Sequence, residues 1–251
     1  PDVARAKKCP SCEVNAFIFV WYHAEGEEPT WNMPPVGPVC TGQWKFRGRT
    51  AHEVHCHIQE IPENGADVAH LHQVHSRSVF LGSRWMDGTS IFNVVTHEWK
   101  PVWQPDDHRP HVGRIQLCQL MKIFGFEVPL SRLTMDIEQI GPATVHLHMN
   151  TSFGKGVFLQ HIVPVGPLTQ KVVHLLYTEP AFKQLPADLL VLAEAIMLER
   201  DIAVWNNKKF LRKPTLVKED RLIGRYRRWY SQFYSEHSPT LQSLRERTLD
   251  W

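Results

Sequence analysis

Alternating apolar and polar positions fill the middle of this chain of 251 residues. Stretches rich in β-branched and aromatic residues, bounded by Gly, Pro or Asp, are typical of strands with one buried face. The segments with this pattern are 44–58, 92–103, 113–124, 130–140, 143–152, 157–163 and 171–178. Because most of them are separated by short turn sequences, they predict one large antiparallel sheet.

Helical periodicity replaces this alternation near the C-terminus. A first helix is predicted from Pro186 to about Trp205, with proline and Asp188 where a helix N-terminus favours them. At about 100° per residue, Asp201 lies in the middle of an apolar face made by Leu190, Met197, Leu198, Val204 and Trp205. Burying an unpaired carboxylate is costly, so Asp201 needs a partner.

A second helix is predicted from Asp220 to Tyr234, where arginines alternate with Trp and Tyr. The favoured interpretation is an amphipathic helix whose aromatic side chains pack on the sheet. A membrane-surface role is the alternative for such a basic, aromatic helix.

The N-terminal part has a different composition. Residues 15–23 predict a strand, and the prolines and glycines of 33–42 predict an extended connector, where we place a domain boundary. The first residue, Pro1, begins neither a signal peptide nor a chain with a start methionine. We therefore expect a piece of a longer protein, in which 1–35 end a preceding domain and 36–251 form the main domain.

Charge and cysteine content narrow the possible partners and compartments. A formal net charge of +2, without a basic run interleaved with aromatics, does not favour a nucleic-acid partner. The five cysteines are odd in number and scattered, which indicates a reducing compartment. Cys9 and Cys12 have CxxC spacing, but no second pair completes a zinc site. No apolar run is long enough for a membrane span.

The spacing of the histidines between Glu60 and His75 is compatible with a metal site. His70 and His75 form an HxxxxH pair, and two imidazoles with one carboxylate suit non-haem ferrous iron that activates dioxygen. Asp201 is the best candidate for the carboxylate, and Glu194, close to the same helix face, is its competitor. Residues five apart on a regular helix point about 140° from each other, so this pair requires a π-bulge or a helix end between them.

Simpler interpretations remain open for each of these residues. Asn64 is a plausible N-cap of the helix that follows, which puts Asp67 at the third position, where it would favour the helix dipole. His70 and His75 alone would be ordinary helix residues. Asp201 has Arg200, Lys208 or a distant arginine as further possible partners.

Two more histidine pairs, His55 with His57 and His146 with His148, alternate along predicted strands. Each pair therefore shares one face of the sheet. We expect packing or solvent-facing roles for them, with substrate orientation as the alternative if that face lines a cavity.

Three separated motifs resemble the Rieske non-haem iron oxygenases: PENGAD at 62–67 followed by His70 and His75, RDIAVWNNK at 200–208, and RRWYSQFY at 227–234. Within that family, the chain is most similar to the cholesterol 7-desaturases of the Neverland type, with bacterial 3-ketosteroid 9α-hydroxylases as more distant relatives. Residues 14–31 also resemble the end of the family's Rieske domain. The resemblance covers nearly the whole chain.

This resemblance implies an α+β fold of the helix-grip (START-like) type, in which a curved antiparallel sheet and long C-terminal helices enclose a hydrophobic cavity. It implies that His70, His75 and Asp201 bind a mononuclear Fe²⁺. Asp67 corresponds to the aspartate that bridges the iron site to a cluster histidine, on a neighbouring subunit of a homotrimer.

The implied activity is sterol 7,8-dehydrogenation, from cholesterol to 7-dehydrocholesterol, in steroid hormone biosynthesis. Electrons would come from NAD(P)H through a reductase and a [2Fe-2S] cluster. A steroid hydroxylase of the 3-ketosteroid 9α type and a non-catalytic sterol-binding domain are the two alternatives. The resemblance also implies the cytosolic face of an internal membrane, the endoplasmic reticulum, reached through an anchor outside this chain, while the fragment itself is soluble.

The sequence departs from the family pattern in one respect. A Rieske cluster needs two cysteines and two histidines, in a CxH and a later CxxH pair, and neither pattern occurs here. Cys56 and His57 are adjacent instead. We therefore expect the cluster in a preceding domain, of which 1–35 are the tail, and a fragment that binds iron without turnover on its own.

Overall fold

One antiparallel sheet dominates the computed structural model, which describes residues 8–75, 95–129, 131–209, 211, 215–240 and 242–243. The strands are β1 (Ser11–Val14), β2 (Phe17–Val20), β3 (Lys45–Val54), β4 (Val95–Pro105), β5 (Val112–Ile123), β6 (Phe126–Glu127), β7 (Leu133–Ile140), β8 (Thr144–Thr151), β9 (Gly154–Gly166) and β10 (Thr169–Thr178). The large sheet has the order β3-β10-β9-β8-β7-β5-β4, with β6 paired to β5 alone. β1 and β2 form a separate hairpin.

The helices are α1 (Gly37–Cys40), α2 (Glu60–Glu63), α3 (Val68–Val74), α4 (Gln184–Trp205) and α5 (Arg221–Tyr230). Short 3₁₀ turns at Lys218–Asp220 and Ser231–Phe233 flank α5. Within the described residues, no helix is long and apolar enough to cross a membrane.

The period-two alternation of the strands gives the sheet two different apolar faces. On the inner face, Leu198 and Trp205 of α4 pack with Val54 and Val172, and Tyr226 and Trp229 of α5 pack with a second cluster that includes Ile115 and Val145. On the outer face, Val157 and Leu159 pack against Val36 and Val39. Both C-terminal helices therefore cover the same side of the sheet.

The predicted antiparallel sheet and the two C-terminal helices are confirmed. The first long strand ends at Val54 rather than at residue 58, because the chain turns there into α2. The predicted strand at 92–103 is observed from Val95, and residues 92–94 and 130 lie outside the described residues. Val204 is 43% exposed, so it does not belong to the buried face of α4.

The N-terminal segment differs from the single strand and extended connector that the sequence predicts. Asn15 and Ala16 have φ values of 54° and 61°, and they make the tight turn of the β1–β2 hairpin. The buried Asn15 amide accepts the Val36 N–H at 2.7 Å and donates to the Pro34 carbonyl at 3.0 Å. These bonds attach the hairpin to the connector, which contains α1. The domain boundary placed there stays a prediction.

Candidate metal centre

The segment before the histidine pair folds as two short helices, and the predicted cap at Asn64 is wrong. Residues 60–63 form α2, and Asn64 keeps helical dihedrals after it. Asp67 is the residue that leaves the helical region, with φ −88° and ψ 90°, and its carboxylate accepts the His70 N–H at 3.1 Å. Asp67 is therefore the N-cap of α3 and not its third residue.

The break in the helix that the HxxxxH spacing requires is present. α3 ends at Val74, and His75 has φ −110° and ψ 0°, so it has left the helix while its N–H still bonds to the Leu71 carbonyl. The two imidazole rings meet edge to face with centroids 5.2 Å apart. A regular helix would separate these side chains, and its end here lets them converge.

A close approach at Gly65 places the turn between α2 and α3 on the sheet. A Cβ at this position would lie 2.5 Å from Ile115 Cδ1 and 2.6 Å from Gln139 Nε2. Gln139, buried on β7, donates to the Pro62 carbonyl and accepts the Trp103 indole N–H at 2.8 Å. Glycine is thus required for packing, and one amide joins the turn to two strands.

The C-terminal region fixes α2 from the other side. Arg227 of α5 makes a two-point ion pair with the buried Glu63, with Nε–Oε2 at 2.7 Å and Nη2–Oε1 at 2.8 Å. Lys208 pairs with the buried Glu60 at 3.1 Å. Such pairs are strong when the planar guanidinium matches the carboxylate. The turn that leads to His70 is therefore held by charge pairs as well as by packing.

α4 supplies Asp201 and the residue before it. Arg200 is fully buried, and its Nη1 donates to the Val74 carbonyl at the end of α3, at 3.3 Å. This contact couples the end of α3 to the turn of α4 that carries Asp201. Asp201 Oδ1 lies 3.0 Å from His75 Nε2, so its observed partner is a histidine rather than Arg200 or Lys208.

The structure brings together all three predicted ligands. One ligand atom from each of His70, His75 and Asp201 lies within 4.8 Å of the other two. A contact with the main chain orients the His70 ring. Its Nδ1 lies against the Asp67 carbonyl oxygen, which leaves Nε2 for a metal. Their binding of iron stays a prediction.

The local electrostatics suit a metal ion. Desolvation lowers the pKa of His70, while the neighbouring Asp201 carboxylate opposes this effect and His75 adds to it. A neutral imidazole is the form that binds metal. Two imidazoles and one carboxylate also leave positions open for dioxygen at ferrous iron. The residues present therefore fit the ion that the sequence predicts.

Glu194, the competing carboxylate, is in another interaction. Its Oε1 lies 3.3 Å from Nε2 of His174, which is buried on β10, and it is absent from the group of converging ligand atoms. Burial raises the pKa of Glu194 to about 7, and desolvation lowers the pKa of His174 to about 3. The geometry thus favours Asp201 as the third ligand.

The structure places one of the two remaining histidine pairs on a strand and the other outside the strands. His146 and His148 share the outer face of β8, as the alternation predicts, and their ligand atoms lie near that of Glu138 on β7. His55 and His57 lie beyond the end of β3, so the strand prediction for them is wrong. The contacts of Glu138, Gln139, Arg200 and Arg227 are not predictable from local sequence, because they depend on strand pairing and helix packing.

A family model described as the 3-ketosteroid 9alpha-hydroxylase C-terminal domain matches residues 20–234. The chain is 42% identical over 254 residues to a cholesterol 7-desaturase of Xenopus laevis, a match that covers 100% of the chain and 56% of the relative. It is 39% identical to a cholesterol 7-desaturase of Drosophila melanogaster, covering 95% of the chain and 55% of the relative. The chain thus spans a little over half the length of these relatives.

Solved structures show the same architecture at low sequence identity. Pseudomonas putida NdmA with caffeine aligns with a TM-score of 0.60 and 13% identity, over 92% of this chain and 63% of the other. This similarity supports the fold alone. The family match over residues 20–234 shows that the chain belongs to the family of the 3-ketosteroid 9α-hydroxylase C-terminal domain.

Proposed function

We propose that this chain is the catalytic part of a cholesterol 7-desaturase, which converts cholesterol to 7-dehydrocholesterol with dioxygen. The convergence of His70, His75 and Asp201, with ligand atoms within 4.8 Å of one another, carries the proposal. Relatives about 40% identical are named cholesterol 7-desaturases, which supports this substrate.

The three ligands would hold a mononuclear Fe²⁺ whose chemistry is the activation of dioxygen and the removal of hydrogen from the sterol. Two further residues hold the histidine ligands in place. Asp67 fixes the ring of His70 through its main-chain carbonyl, and Arg200 fixes the end of α3 just before His75. Asp201 brings the negative charge that offsets part of the charge of the ion.

Partly exposed apolar side chains on the inner side of the sheet support a sterol substrate. Leu71 and Met197 on α3 and α4, and Met135 and Leu147 on the inner face of the sheet, are only partly buried and pack on the main core cluster. Partly exposed apolar side chains are typical of the lining of a hydrophobic substrate pocket. We infer that they contact the sterol rings and exclude water from the reacting carbon.

The overall reaction needs electrons as well as dioxygen. Loss of two hydrogens from cholesterol, with one dioxygen, two electrons and two protons, gives 7-dehydrocholesterol and two waters. We propose that the electrons come from NAD(P)H through a reductase and a [2Fe-2S] cluster, carried by a domain of which 1–35 are the tail. Asp67, half-buried and bonded to His70, is the proposed bridge to a cluster on a neighbouring subunit of a homotrimer.

We also propose that the protein acts at the cytosolic face of the endoplasmic reticulum, where its sterol substrate would be found in the membrane. The partly exposed apolar lining described above supports a lipid substrate. This location is tested by fractionating cells that produce a longer form of the protein, one that matches the full length of its relatives. Recovery with the endoplasmic reticulum supports it, and recovery in the soluble fraction contradicts it.

A steroid hydroxylase of the 3-ketosteroid 9α type is the second candidate, because the matching family model carries that description. Product analysis separates the two. The protein at the length of its relatives, supplied with reductase and NAD(P)H, should convert cholesterol to a conjugated diene. A hydroxylated 3-ketosteroid as the main product, with cholesterol untouched, would favour the second candidate.

A test on the present chain uses nitric oxide as a dioxygen analogue. The chain, loaded anaerobically with Fe²⁺, should give an electron paramagnetic resonance signal of iron with bound nitric oxide, and cholesterol should change the signal. His72→Gln, at an exposed position on α3, is the matched control and should keep the signal. Cholesterol binding without any iron signal would instead support a non-catalytic sterol-binding domain.

A further inference from the structure

The outer face of the sheet carries a second group of converging ligand atoms. Glu138 on β7 pairs directly with His146 on β8, and His148 follows two residues later on the same face. One ligand atom from each of the three lies within 4.8 Å of the others. Alternate residues of a strand and the residue opposite on its neighbour thus aim three ligands at one point.

His146 has the properties of a ligand whose partner is absent from the protein. The residue is 1% exposed, and its Nε2 is buried without a hydrogen-bond partner among the described residues. A buried polar nitrogen left unpaired costs about 1–3 kcal/mol. Burial also lowers the pKa of His146 to about 4 and lowers the pKa of His148.

The surrounding charges leave room for a cation. Arg109 binds Oε1 of Glu138 at 2.5 Å, and Arg114 lies 3.4 Å from the same oxygen. Oε2 of Glu138 is therefore the oxygen that remains for a metal. Asp106 pairs with both arginines, and Asp136 lies opposite His148, so this part of the outer face has three carboxylates and two guanidinium groups.

A cavity of about 170 Å³ opens beside these residues and is lined by Glu138, His148, Asp136 and Arg114 among others. This volume is large enough to hold a metal ion and several waters. The site is therefore accessible from one side and closed by the buried His146 on the other.

We propose that Glu138, His146 and His148 form a second metal site, for Zn²⁺, on the outer face of the sheet. Two imidazoles and one carboxylate are a zinc ligand set, and they leave a fourth position for water. That position would face the cavity. The proposal does not depend on the iron site, which lies on the helices of the inner face.

Zinc titration of the chain, freed of metal by a chelator, tests the proposal. Calorimetry on the Asp201→Ala variant, which removes the inner site, should still show one Zn²⁺ per chain. Adding His148→Gln should weaken this binding at least about tenfold. His108→Gln, at an exposed histidine in the turn before β5, is the control and should leave the binding unchanged.

X-ray absorption at the zinc edge gives a second measurement on the unmutated outer site. Scattering from two imidazoles and light oxygen ligands supports the proposal. Zinc binding that is unaffected by His148→Gln, or the absence of zinc binding in folded Asp201→Ala protein, overturns it. Thermal unfolding curves verify that each variant is folded before titration.

Discussion

The inner and outer faces of this domain each carry two imidazoles and one carboxylate, but on different secondary structure. On the inner face, His70 and His75 lie on α3 and at its end, and Asp201 comes from α4. On the outer face, Glu138, His146 and His148 lie on two paired strands. The strand group converges through regular geometry, whereas the helix group needs a helix end, a buried arginine and a close glycine contact.

The carboxylates of the two groups also have different partners. Asp201 faces His75 at 3.0 Å, while Glu138 is shared with Arg109 and Arg114. The two guanidinium groups occupy Oε1 of Glu138 and offset its charge, so only Oε2 is left for a metal. The inner group is thus the better site for a tightly bound ion, and similar residue types do not give equal sites.

The largest expected effect is the loss of iron in Asp201→Ala. Removing a ligand should lower iron affinity by more than the roughly 10–100-fold typical of outer-shell partners. Glu194→Gln is the matched variant on the same helix and should retain iron. Metal analysis after anaerobic loading measures both, and the opposite pattern would make Glu194 the ligand.

Acid should destabilise the outer face and the His174 region together. Burial lowers the pKa of His146 to about 4 and those of His161 and His174 to about 3. Because the unfolded chain binds protons at higher pH, the stability from each histidine is fully present above pH ~6.5 and falls by about 1.4 kcal/mol per pH unit between that pH and the pKa in the folded state. Urea unfolding between pH ~7 and ~4 should show this loss.

His161→Phe sharpens the pH experiment. The His161 ring packs on Phe17 with centroids 3.8 Å apart, and both of its nitrogens lack partners among the described residues. Phenylalanine should keep the packing and reduce the slope with pH. His55→Gln, at an exposed position, is the control. If the free energy of unfolding changes equally with pH in the unmutated protein and in both variants, His161 does not contribute to the pH dependence.

The ion pair that supports α2 should have a smaller, purely structural effect. Arg227→Ala leaves Glu63 buried without its partner, so the free energy of unfolding should fall by about 3 kcal/mol. The exposed Arg225→Ala, on the same helix, should change it by less than about 0.5 kcal/mol. Similar losses in both variants would show that the pair is not what holds this turn.

The smallest expected effect on stability separates two roles of Asp67. Asp67→Asn keeps a good N-cap for α3 and should barely change stability, whereas Asp67→Ala should cost about 1 kcal/mol. If Asp67 also carries electrons, both variants should bind iron but lose turnover in the protein at the length of its relatives. Full turnover in Asp67→Asn would reject the bridging role.

Much of this domain follows from local patterns in the sequence. Alternation predicts the strands, and the periodicity of α4 and α5 predicts helices with Asp201 on a mostly apolar face. The HxxxxH spacing predicts a helix break, which the structure shows at Val74. The five-residue spacing of His70 and His75 does not fit the pitch of a regular helix, and this mismatch is the sequence feature that predicts the geometry of the site best.

Other features depend on contacts that no local pattern encodes. Asn64 and Asp67 are both good capping residues, and the local sequence does not distinguish them; in the structure Asp67 caps α3, while Gly65 packs on Ile115 and Gln139. Likewise, the partner of Glu138 depends on strand register. The helical periodicity favours Asp201 over Glu194 but leaves both on nearly the same face of α4, and their different histidine partners appear only in the packed structure.

Iron stoichiometry in the chain loaded anaerobically with Fe²⁺ tests the central claim most directly. We expect about one iron per chain, lost in His75→Ala and in Asp201→Ala, and retained in His148→Gln. Retention of iron by a folded Asp201→Ala variant, or loss of iron in His148→Gln, would contradict the assignment of His70, His75 and Asp201 as the iron site.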